Sequence, residues 1–438
     1  MADTIYALST PRGRSGVAVI RLSGPGALGA AQTICAREDF TPRHATLCDF
    51  FGADGEAIDR GLVLSFPGPK SFTGEECVEL HAHGGTAILA ALLERLSALP
   101  GLRPAEPGEF ARRAFHNDKL DLAEVEGLAD LIDAETQAQR KQALRQMDGA
   151  LSQQIEAWRA ELIAALAHLE ADIDFPDEDL PDGVAGAVRP RIEALIADIR
   201  RFLADKRGER LRLGLDCVVI GAPNAGKSSF INRLVGRDAV IVSSEPGTTR
   251  DVVDLHLDLG GFPLILADTA GLRAAPGAIE QEGVRRAEAR AARADLVIVL
   301  VDATDPDLSM IAPGHLVLIN KADQAADTAA LTKQISDNPH AILSVKDGSG
   351  WDGAISLIEQ AARERTDHGT GPVVTRERHR AALAETADAL ERFCGDISHA
   401  ELAAENVRLA VRALGRITGR VDVEDLLDVI FSDFCIGK

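Results

Sequence analysis

A glycine-rich stretch near the middle of the chain has the residue types and spacing of a phosphate-binding loop. Residues 221–229 read G-A-P-N-A-G-K-S-S, which fits the pattern G-x-x-x-x-G-K-S. The apolar run at 215–220 predicts a buried strand before the loop, and 229–234 predict a helix after it. This order directs backbone N–H groups and the positive end of a helix at a phosphate. Lys227 is predicted to lie between the β- and γ-phosphates, and the Ser228 hydroxyl to bind Mg²⁺.

Two later segments are predicted to complete the metal and γ-phosphate site. Residues 247–251 read G-T-T-R-D, and Thr249 stands where a second hydroxyl ligand for the metal is expected. Residues 268–271 read D-T-A-G and follow a predicted strand. Asp268 would reach the metal through water, and the N–H of Gly271 would contact the γ-phosphate.

Two further segments predict which base is bound. Residues 320–323 read N-K-A-D after a predicted strand, and the carboxylate of Asp323 can accept both N–H groups on the edge of guanine, which adenine cannot offer. Residues 344–346 follow another short strand and are expected to contact the base through backbone groups. Five motifs in this order indicate a GTPase. The predicted nucleotide contacts are Asn224, Ala225, Gly226, Lys227, Ser228, Ser229, Ser243, Gly247, Thr248, Thr249, Asp268, Thr269, Ala270, Gly271, Asn320, Lys321, Asp323, Ser344, Val345 and Lys346.

One position departs from the pattern of Ras-like GTPases. Leu272 follows D-T-A-G, where those enzymes have the glutamine that orients the attacking water. Leucine can neither polarise nor orient water, so another group must do so. Glu280 is a candidate, although from spacing alone an exposed glutamate at a helix start is the better explanation. Asn224 could hold a monovalent cation where an arginine finger would otherwise point.

The elements that position these residues must come from a chain of 438 residues, which suggests two to four domains. Its 46% apolar content is typical of globular cores, and its net charge of −21 disfavours indiscriminate binding to nucleic acid. The six cysteines form no C-x-x-C pair and no zinc spacing, which favours reduced thiols in a cytoplasm. Neither a secretory signal nor a membrane span is predicted.

The pattern of elements predicts a multidomain α/β plus α fold. Residues 1–118 mix short strands with a helix at 86–99 and predict an α+β domain. A helical domain is predicted for 119–210, where one apolar stripe from Leu144 to Ile173 predicts a single long helix. The strands and helices of 211–372 predict a mostly parallel sheet with helices on both faces and an antiparallel hairpin at 252–266.

Helices are predicted to return at 373–438, so the nucleotide-binding domain would be inserted in a helical bundle. His81 and His83 could bind a metal from one strand face, but no third ligand is evident. A solvent-facing strand end is therefore favoured for them.

The sequence resembles the tRNA modification GTPase MnmE (TrmE) family over essentially its full length. The resemblance includes, besides the nucleotide motifs, S-F-T-G-E at 71–75, H-G-G at 83–85, P-G-E-F at 107–110, N-D-K-L-D-L at 117–122 and F-C-I-G-K at 434–438. It implies that the first domain binds folate and forms a homodimer. It also implies joint action with the flavoprotein MnmG. The two proteins would form a heterotetramer, in which MnmG would carry the FAD.

The implied reaction adds an aminomethyl or carboxymethylaminomethyl group at C5 of the wobble uridine of certain tRNAs. A methylene-tetrahydrofolate would supply the one-carbon unit, and a 5-formyl derivative is a related ligand. By position, the folate contacts would be Arg21, Glu79, Lys119 and Lys438. The charges suit this assignment, because cationic side chains can pair with the glutamate carboxylates of folate and Glu79 with its pterin N–H edge.

The resemblance also implies that K⁺ brings the GTPase domains of a dimer together. Its ligands by position would be Asn224, Ser243, Thr248 and the backbone carbonyl of Glu245. Glu280 matches a carboxylate that helps to orient water. Cys435 matches the C-terminal cysteine of the family, with its chemical role left open.

Two interpretations stay open at this point. Arg408, Arg412, Arg416 and Arg420 recur every fourth residue and could touch tRNA phosphates, but a solvated face paired with acids is at least as good an explanation. The GTPase motifs alone also fit a regulatory GTPase of ribosome assembly. The folate residues and Cys435 favour the modification enzyme.

Overall fold

The computed structural model divides the chain into two compact units, residues 1–129 with 414–438, and residues 130–413. The residues that the structure describes are 3–174, 184–236, 255–266, 290–325, 327–397, 399–421, 424–432, 434 and 436–437. Helix α4 (Leu122–Asp133) lies mostly in the first unit, and helix α13 (Ala400–Thr418) lies mostly in the second.

A six-stranded mixed sheet forms the first unit, in the order β3-β4-β5-β2-β1-β6. All neighbours are antiparallel except β1 and β6. Its elements are β1 (Thr4–Leu8), β2 (Ala18–Ser23), α1 (Ala27–Cys35), β3 (Thr46–Phe51), β4 (Ala57–Phe66), β5 (Cys77–Ala82), α2 (Thr86–Ser97), β6 (Leu102–Pro104), α3 (Glu109–His116), α4 (Leu122–Asp133) and α14 (Glu424–Ser432).

Strand alternation gives the first sheet two different faces. Ile20, Leu22, Val78 and Leu80 point into a core closed by α1 and α2. The residues between them, including Arg21 and Glu79, point to the other face. The predicted α+β character of this region is therefore confirmed.

The second unit contains a sheet in the order β12-β11-β10-β7-β9-β8. All pairs are parallel except the antiparallel pair β8 and β9. Its elements are α5 (Gln137–Met147), α6 (Ala150–Asp174), α7 (Val184–Ala204), α8 (Arg207–Leu213), β7 (Leu215–Ile220), α9 (Lys227–Val235), β8 (Leu255–Leu259), β9 (Phe262–Leu266), β10 (Leu296–Asp302), β11 (Leu316–Asn320), α10 (Ala329–Gln334), β12 (His340–Ile342), α11 (Trp351–Thr366), α12 (Glu377–Gly395) and α13 (Ala400–Thr418).

Apolar cores cover both faces of this sheet. Helices α9 and α11 close one core, with Phe230 and Trp351 at 5.3 Å between ring centroids, and α10 contributes Leu331 to the other. A mostly parallel sheet buried on both faces, with one hairpin, is the arrangement that the sequence predicts.

The helices before and after the sheet pack on each other. Helix α7 contacts both α6 and α12, and Trp158 meets Phe202 edge-on at 5.3 Å. The sheet-bearing segment is therefore inserted between two parts of a helical bundle, as predicted. The division of the chain at residues 118, 210 and 372 stays a prediction.

One predicted helix is wrong. The apolar stripe from Leu144 to Ile173 predicts a single helix, but α5 ends at Met147 and α6 begins at Ala150. The chain turns at Asp148 and Gly149, which has a φ of +85°. The apolar spacing continues across the turn by chance, and Leu144 is left 37% exposed.

Candidate functional site

The phosphate-binding loop joins β7 to α9, as the sequence predicts. Gly226 has a φ of +100°, which L side chains rarely adopt, and a Cβ there would lie 2.3 Å from Asn320 Nδ2. Asn224 also has a left-handed φ, of +64°, at the exposed tip of the loop. The N–H groups of the first turn of α9 face the loop and suit an anion.

Lys227 bonds to the first two residues of this loop. Its Nζ donates to the carbonyl oxygens of Gly221 and Ala222, both at 2.8 Å. The ammonium therefore lies beside the loop N–H groups, where phosphate oxygens would be bound. Ser228 is half-buried on the adjoining first turn of the helix.

Asn320 connects the phosphate loop to the predicted base-binding loop. It ends β11 and is 3% exposed. Its Nδ2 donates to the Ala225 carbonyl at 2.9 Å, and its Oδ1 accepts from the Val345 N–H at 3.0 Å. One buried carboxamide thus fixes the two halves of the site against each other.

Asp302 is a residue of this site that the sequence analysis missed. It ends β10, beside Asn320, and its Oδ2 lies 2.5 Å from Lys321 Nζ. Burial raises the pKa of this carboxyl, but hydrogen bonds from Lys321 and Thr304 outweigh that effect and hold the pKa below its ordinary value. The ion pair fixes Lys321, whose φ is +63°. Its place at the carboxyl end of a strand is the only signal that could have identified it.

A cavity of about 640 Å³ brings the two loops together. Residues that line it include Gly226, Ser229, Asn320, Asp323, Ser344 and Lys346. Asp323 is exposed at its edge, while Ser344 is fully buried. The structure therefore places the predicted base residues and two residues of the phosphate loop, Gly226 and Ser229, around one space.

Several predicted site residues lie outside the described residues. They are Ser243, Glu245, Gly247, Thr248, Thr249, Asp268, Thr269, Ala270, Gly271, Leu272, Glu280, Cys435 and Lys438.

A second group of predicted residues meets on the face of the first sheet that points away from α1 and α2. Arg21 on β2 and Glu79 on β5 are cross-strand partners, and Nε and Nη2 of Arg21 donate to Glu79 Oε1 at 3.1 and 3.0 Å. His81 contacts the other carboxylate oxygen at 3.2 Å. The Arg21 guanidinium lies 5.3 Å from the centroid of the Phe72 ring, in cation–π contact.

Lys119 lies near this group through the loop at 71–75. A Cβ on Gly74 of that loop would be 3.1 Å from Lys119 Cε. At the other end of the chain, Gly437 accepts a hydrogen bond of 3.0 Å from Ser9 Oγ beside the end of β1. The structure thus brings three of the four predicted folate contacts, Arg21, Glu79 and Lys119, to one region of the first unit.

A polar network that the sequence analysis missed supports the loop at 71–75. Ser23 Oγ contacts Thr73 Oγ1 at 2.7 Å and donates to Glu75 Oε2 at 2.6 Å. Arg113 pairs with Glu75 at 3.1 Å and with Glu109 at 3.0 Å. The i,i+4 spacing of Glu109 and Arg113 was a signal for the second pair, but Glu75 is far from both in sequence.

Two charged features have ordinary partners. His83 Nδ1 lies 2.8 Å from Asp59 Oδ1, and within the described ranges no group of three or more His, Cys, Asp or Glu side chains could hold a metal ion. Arg408 pairs with Glu170 at 2.9 Å and also contacts Glu405, whereas Arg412 is exposed. For Arg408, the interpretation as an arginine paired with acidic residues therefore fits the structure.

Comparisons with known proteins cover the whole chain. A family model described as the MnmE helical domain matches residues 122–435, and one described as the GTP-binding protein TrmE N-terminus matches residues 4–119. A tRNA modification GTPase MnmE from Parvibaculum lavamentivorans is 55% identical over 452 residues, and one from Paramagnetospirillum magneticum is 52% identical over 445 residues; both alignments cover all of both chains.

A relative from Rattus norvegicus is 46% identical over 461 residues, which cover all of this chain and 93% of the relative. It is named 5-taurinomethyluridine-[tRNA] synthase subunit GTPB3, mitochondrial. In the parts of the chain that the structure describes, no helix has both the length and the apolar character needed to cross a bilayer.

Proposed function

The chain belongs to the family of the tRNA modification GTPase MnmE, and from this premise we propose that it hydrolyses GTP in the course of modifying tRNA. The observation that carries the proposal is the position of Asn320, which joins the phosphate loop at Ala225 to the base loop at Val345. Together with Asp323 at the cavity edge, this arrangement fits a guanine nucleotide.

The residues of the phosphate loop fit the metals that such a reaction uses. Ser228 offers a hard hydroxyl oxygen beside Lys227, as Mg²⁺ requires, and Thr249 would be its second protein ligand. Asn224 offers a carboxamide oxygen at the exposed loop tip, where K⁺ would be held together with Ser243, Thr248 and the carbonyl of Glu245. These cations supply charge compensation at the phosphates. Glu280 is proposed to orient the attacking water that Leu272 cannot orient.

The group around Arg21 and Glu79 on the first sheet fits a reduced folate that supplies the one-carbon unit. Oε1 of Glu79 already accepts two hydrogen bonds from Arg21, whereas Oε2, which contacts His81, keeps a second lone pair for a pterin N–H. Arg21 is held in place by Glu79 and Phe72, and Lys119 would add a second cation for the folate carboxylates. Lys438 is proposed as a third, and Cys435 as a residue of the modification site.

The same face supports the proposal of a homodimer. Leu47, Leu62, His81 and Val19 are successive cross-strand partners over four strands. Leu47 is 63% and Leu62 is 38% exposed, so the row presents apolar surface to solvent. The dimer would act with MnmG, which contributes FAD, to add the aminomethyl or carboxymethylaminomethyl group at C5 of the wobble uridine of certain tRNAs.

The test of the nucleotide mechanism is the rate of GTP hydrolysis in K⁺ and in Na⁺ at equal ionic strength. Faster hydrolysis in K⁺, lost in Asn224→Ala, is the expected result. Equal rates in both salts would exclude the potassium mechanism.

Folate binding is tested separately by titration calorimetry with 5-formyl-tetrahydrofolate. Binding that Arg21→Ala abolishes is expected, with Arg60→Ala as the control because Arg60 is exposed on β4. No heat with the unaltered chain would exclude the folate assignment.

A further inference from the structure

Arg233 lies near the end of helix α9 and contacts the loop that follows β12. Its Nη1 donates to the carbonyl oxygen of Val345. Its Nη2 lies so near Gly348 that a Cβ there would be 2.5 Å away. The side chain is half-buried and also lines the cavity between the phosphate loop and the base loop.

Val345 is therefore held at both of its polar backbone groups. Asn320 Oδ1 accepts from its N–H at 3.0 Å, while Arg233 donates to its carbonyl. The rest of the loop closes on itself, because the Gly348 N–H donates to the Ser344 carbonyl at 2.9 Å. The orientation of the loop relative to the cavity thus depends on these two side chains.

Trp351 fixes the guanidinium of Arg233. The guanidinium carbon lies 5.0 Å from the centroid of the Trp351 ring, and Trp351 is 4% exposed. A flat cation on a buried aromatic face has few alternative rotamers. The indole packs in turn on Phe230, which belongs to the same helix as Arg233.

Helix α9 connects the two ends of the nucleotide site. It begins at Lys227 in the phosphate loop, and Arg233 is six residues later, about 9 Å along the helix axis. A single rigid element therefore contacts both the predicted phosphate site and the predicted base loop.

We propose that Arg233 is a positioning residue for guanine recognition, which holds loop 344–346 so that the backbone N–H of Lys346 faces O6 of the base. The N–H groups of Ser344 and Val345 donate to Ser349 and Asn320 and keep the loop in shape. This inference rests on the proposed binding of guanine nucleotides. Asp323 reads the N1–H and 2-amino edge independently, so the two groups divide recognition of the base between them.

The experiment compares the affinities of three diphosphates for the full chain and for Arg233→Ala. GDP has both edges, inosine 5′-diphosphate lacks the 2-amino group, and 6-thioguanosine 5′-diphosphate has a weak sulfur acceptor in place of O6. We expect Arg233→Ala to lower the affinities for GDP and for inosine diphosphate alike, by about 10-fold. This is the scale of one charge-assisted hydrogen bond. The affinity for the thio analogue should fall by less than about 2-fold, because the contact of its sulfur with the loop is already weak.

Two controls keep this comparison decisive. Arg201→Ala removes a 78% exposed arginine from helix α7 and should leave all three affinities unchanged. Arg233→Lys keeps the charge but loses the flat stacking on Trp351, and should show a smaller loss of the same selectivity. It replaces the alanine variant if that variant does not fold.

Equal weakening of all three nucleotides, or no weakening in a folded variant, would overturn the assignment of Arg233. The proposed function fails in a different way, namely if the unaltered chain binds ADP as tightly as GDP.

Discussion

Asn320 joins the two loops of the nucleotide site by hydrogen bonds to Ala225 and Val345. It is buried, and its amide donates to one loop while its oxygen accepts from another. A group that is hydrogen-bonded at both ends in the interior leaves two orphaned backbone groups when it is removed. Stability and nucleotide affinity therefore depend on the same carboxamide.

Asn320→Ala should lower the free energy of unfolding by about 3 kcal/mol, because the Ala225 carbonyl and the Val345 N–H lose their buried partner. Affinity for GDP should fall as well. Urea denaturation and GDP titration measure the two effects. The control is Asn232→Ala at an exposed position of helix α9, which should change stability by less than about 0.5 kcal/mol. If Asn320→Ala left both the free energy of unfolding and the affinity for GDP unchanged, the bridging role would be contradicted.

Glu109 is the corresponding residue of the first unit. It is 8% exposed and accepts from Arg103 Nη2 at 2.6 Å, from Arg113 Nη2 at 3.0 Å and from the Glu106 N–H at 2.9 Å. Burial raises the pKa of this carboxyl, but the hydrogen bonds outweigh burial and lower it overall. Its stabilising contribution is therefore present above the unfolded pKa of about 4.3 and is lost as the pH falls through the folded value.

Glu109→Gln should reduce the free energy of unfolding by about 2 kcal/mol at pH 7, since Arg103 and Arg113 lose the negative charge with which they pair. The deficit should shrink as the pH falls below the unfolded pKa of about 4.3 and through the lower folded pKa, where the native glutamate also becomes neutral. Urea denaturation at several pH values measures this. A deficit that does not change with pH would show that the charge of Glu109 is not what stabilises the unit.

Helix α5 and the β8–β9 hairpin satisfy each other's backbone groups. Thr136 caps the helix in a capping box with Gln139, and the Ala138 N–H donates to the Gly261 carbonyl at 3.0 Å. The hairpin turn thus occupies one of the helix donors that have no partner within the helix. The turn between β8 and β9 is therefore bonded to a helix that precedes the sheet in the chain.

Thr136→Ala should destabilise the second unit by about 1 kcal/mol through loss of the cap, and Thr136→Ser should restore most of that stability. Thermal unfolding of the two variants measures the difference. If serine were no better than alanine, the hydroxyl would not be the capping group.

Local patterns in the sequence predict the elements that depend on neighbouring residues. The hairpin is predicted because alternation and Gly260-Gly261 both lie within it, and the phosphate loop because strand, turn and helix are contiguous. Strand β6 is not predicted, since three residues show no period and only pairing with β1 makes them a strand. The contacts of Arg233 with Val345 and of Arg113 with Glu75 join residues distant in the sequence, which no local pattern encodes.

At the scale of the whole molecule, the first unit contains both ends of the chain and an exposed apolar row on its sheet. Leu47 and Leu62 are direct partners across β3 and β4. Neither belongs to the core that α1 and α2 close on the opposite face. This row is the described surface best suited to the proposed contact between two copies.

Replacing both Leu47 and Leu62 with Asp should shift the proposed dimer toward monomer, because each copy would then bury two like charges in the contact. Sedimentation equilibrium measures the dissociation constant, which should rise by at least about 10-fold. Leu213→Asp, at a 62% exposed position of helix α8, is the control and should leave it unchanged. A dimer that survives the double substitution would place the interface elsewhere.

The insertion of the sheet between α7 and α12 has a consequence for biosynthesis. These two helices pack together, yet 172 residues separate the end of one from the start of the other. At about 5–20 residues per second, a ribosome needs roughly 10–35 s to complete that stretch. The inserted segment emerges whole in this interval, while the apolar face of α7 waits for its partner. The contact between α7 and α12 therefore forms only after the inserted segment has been made, and a nascent chain arrested before residue 377 lacks the helix on which α7 packs.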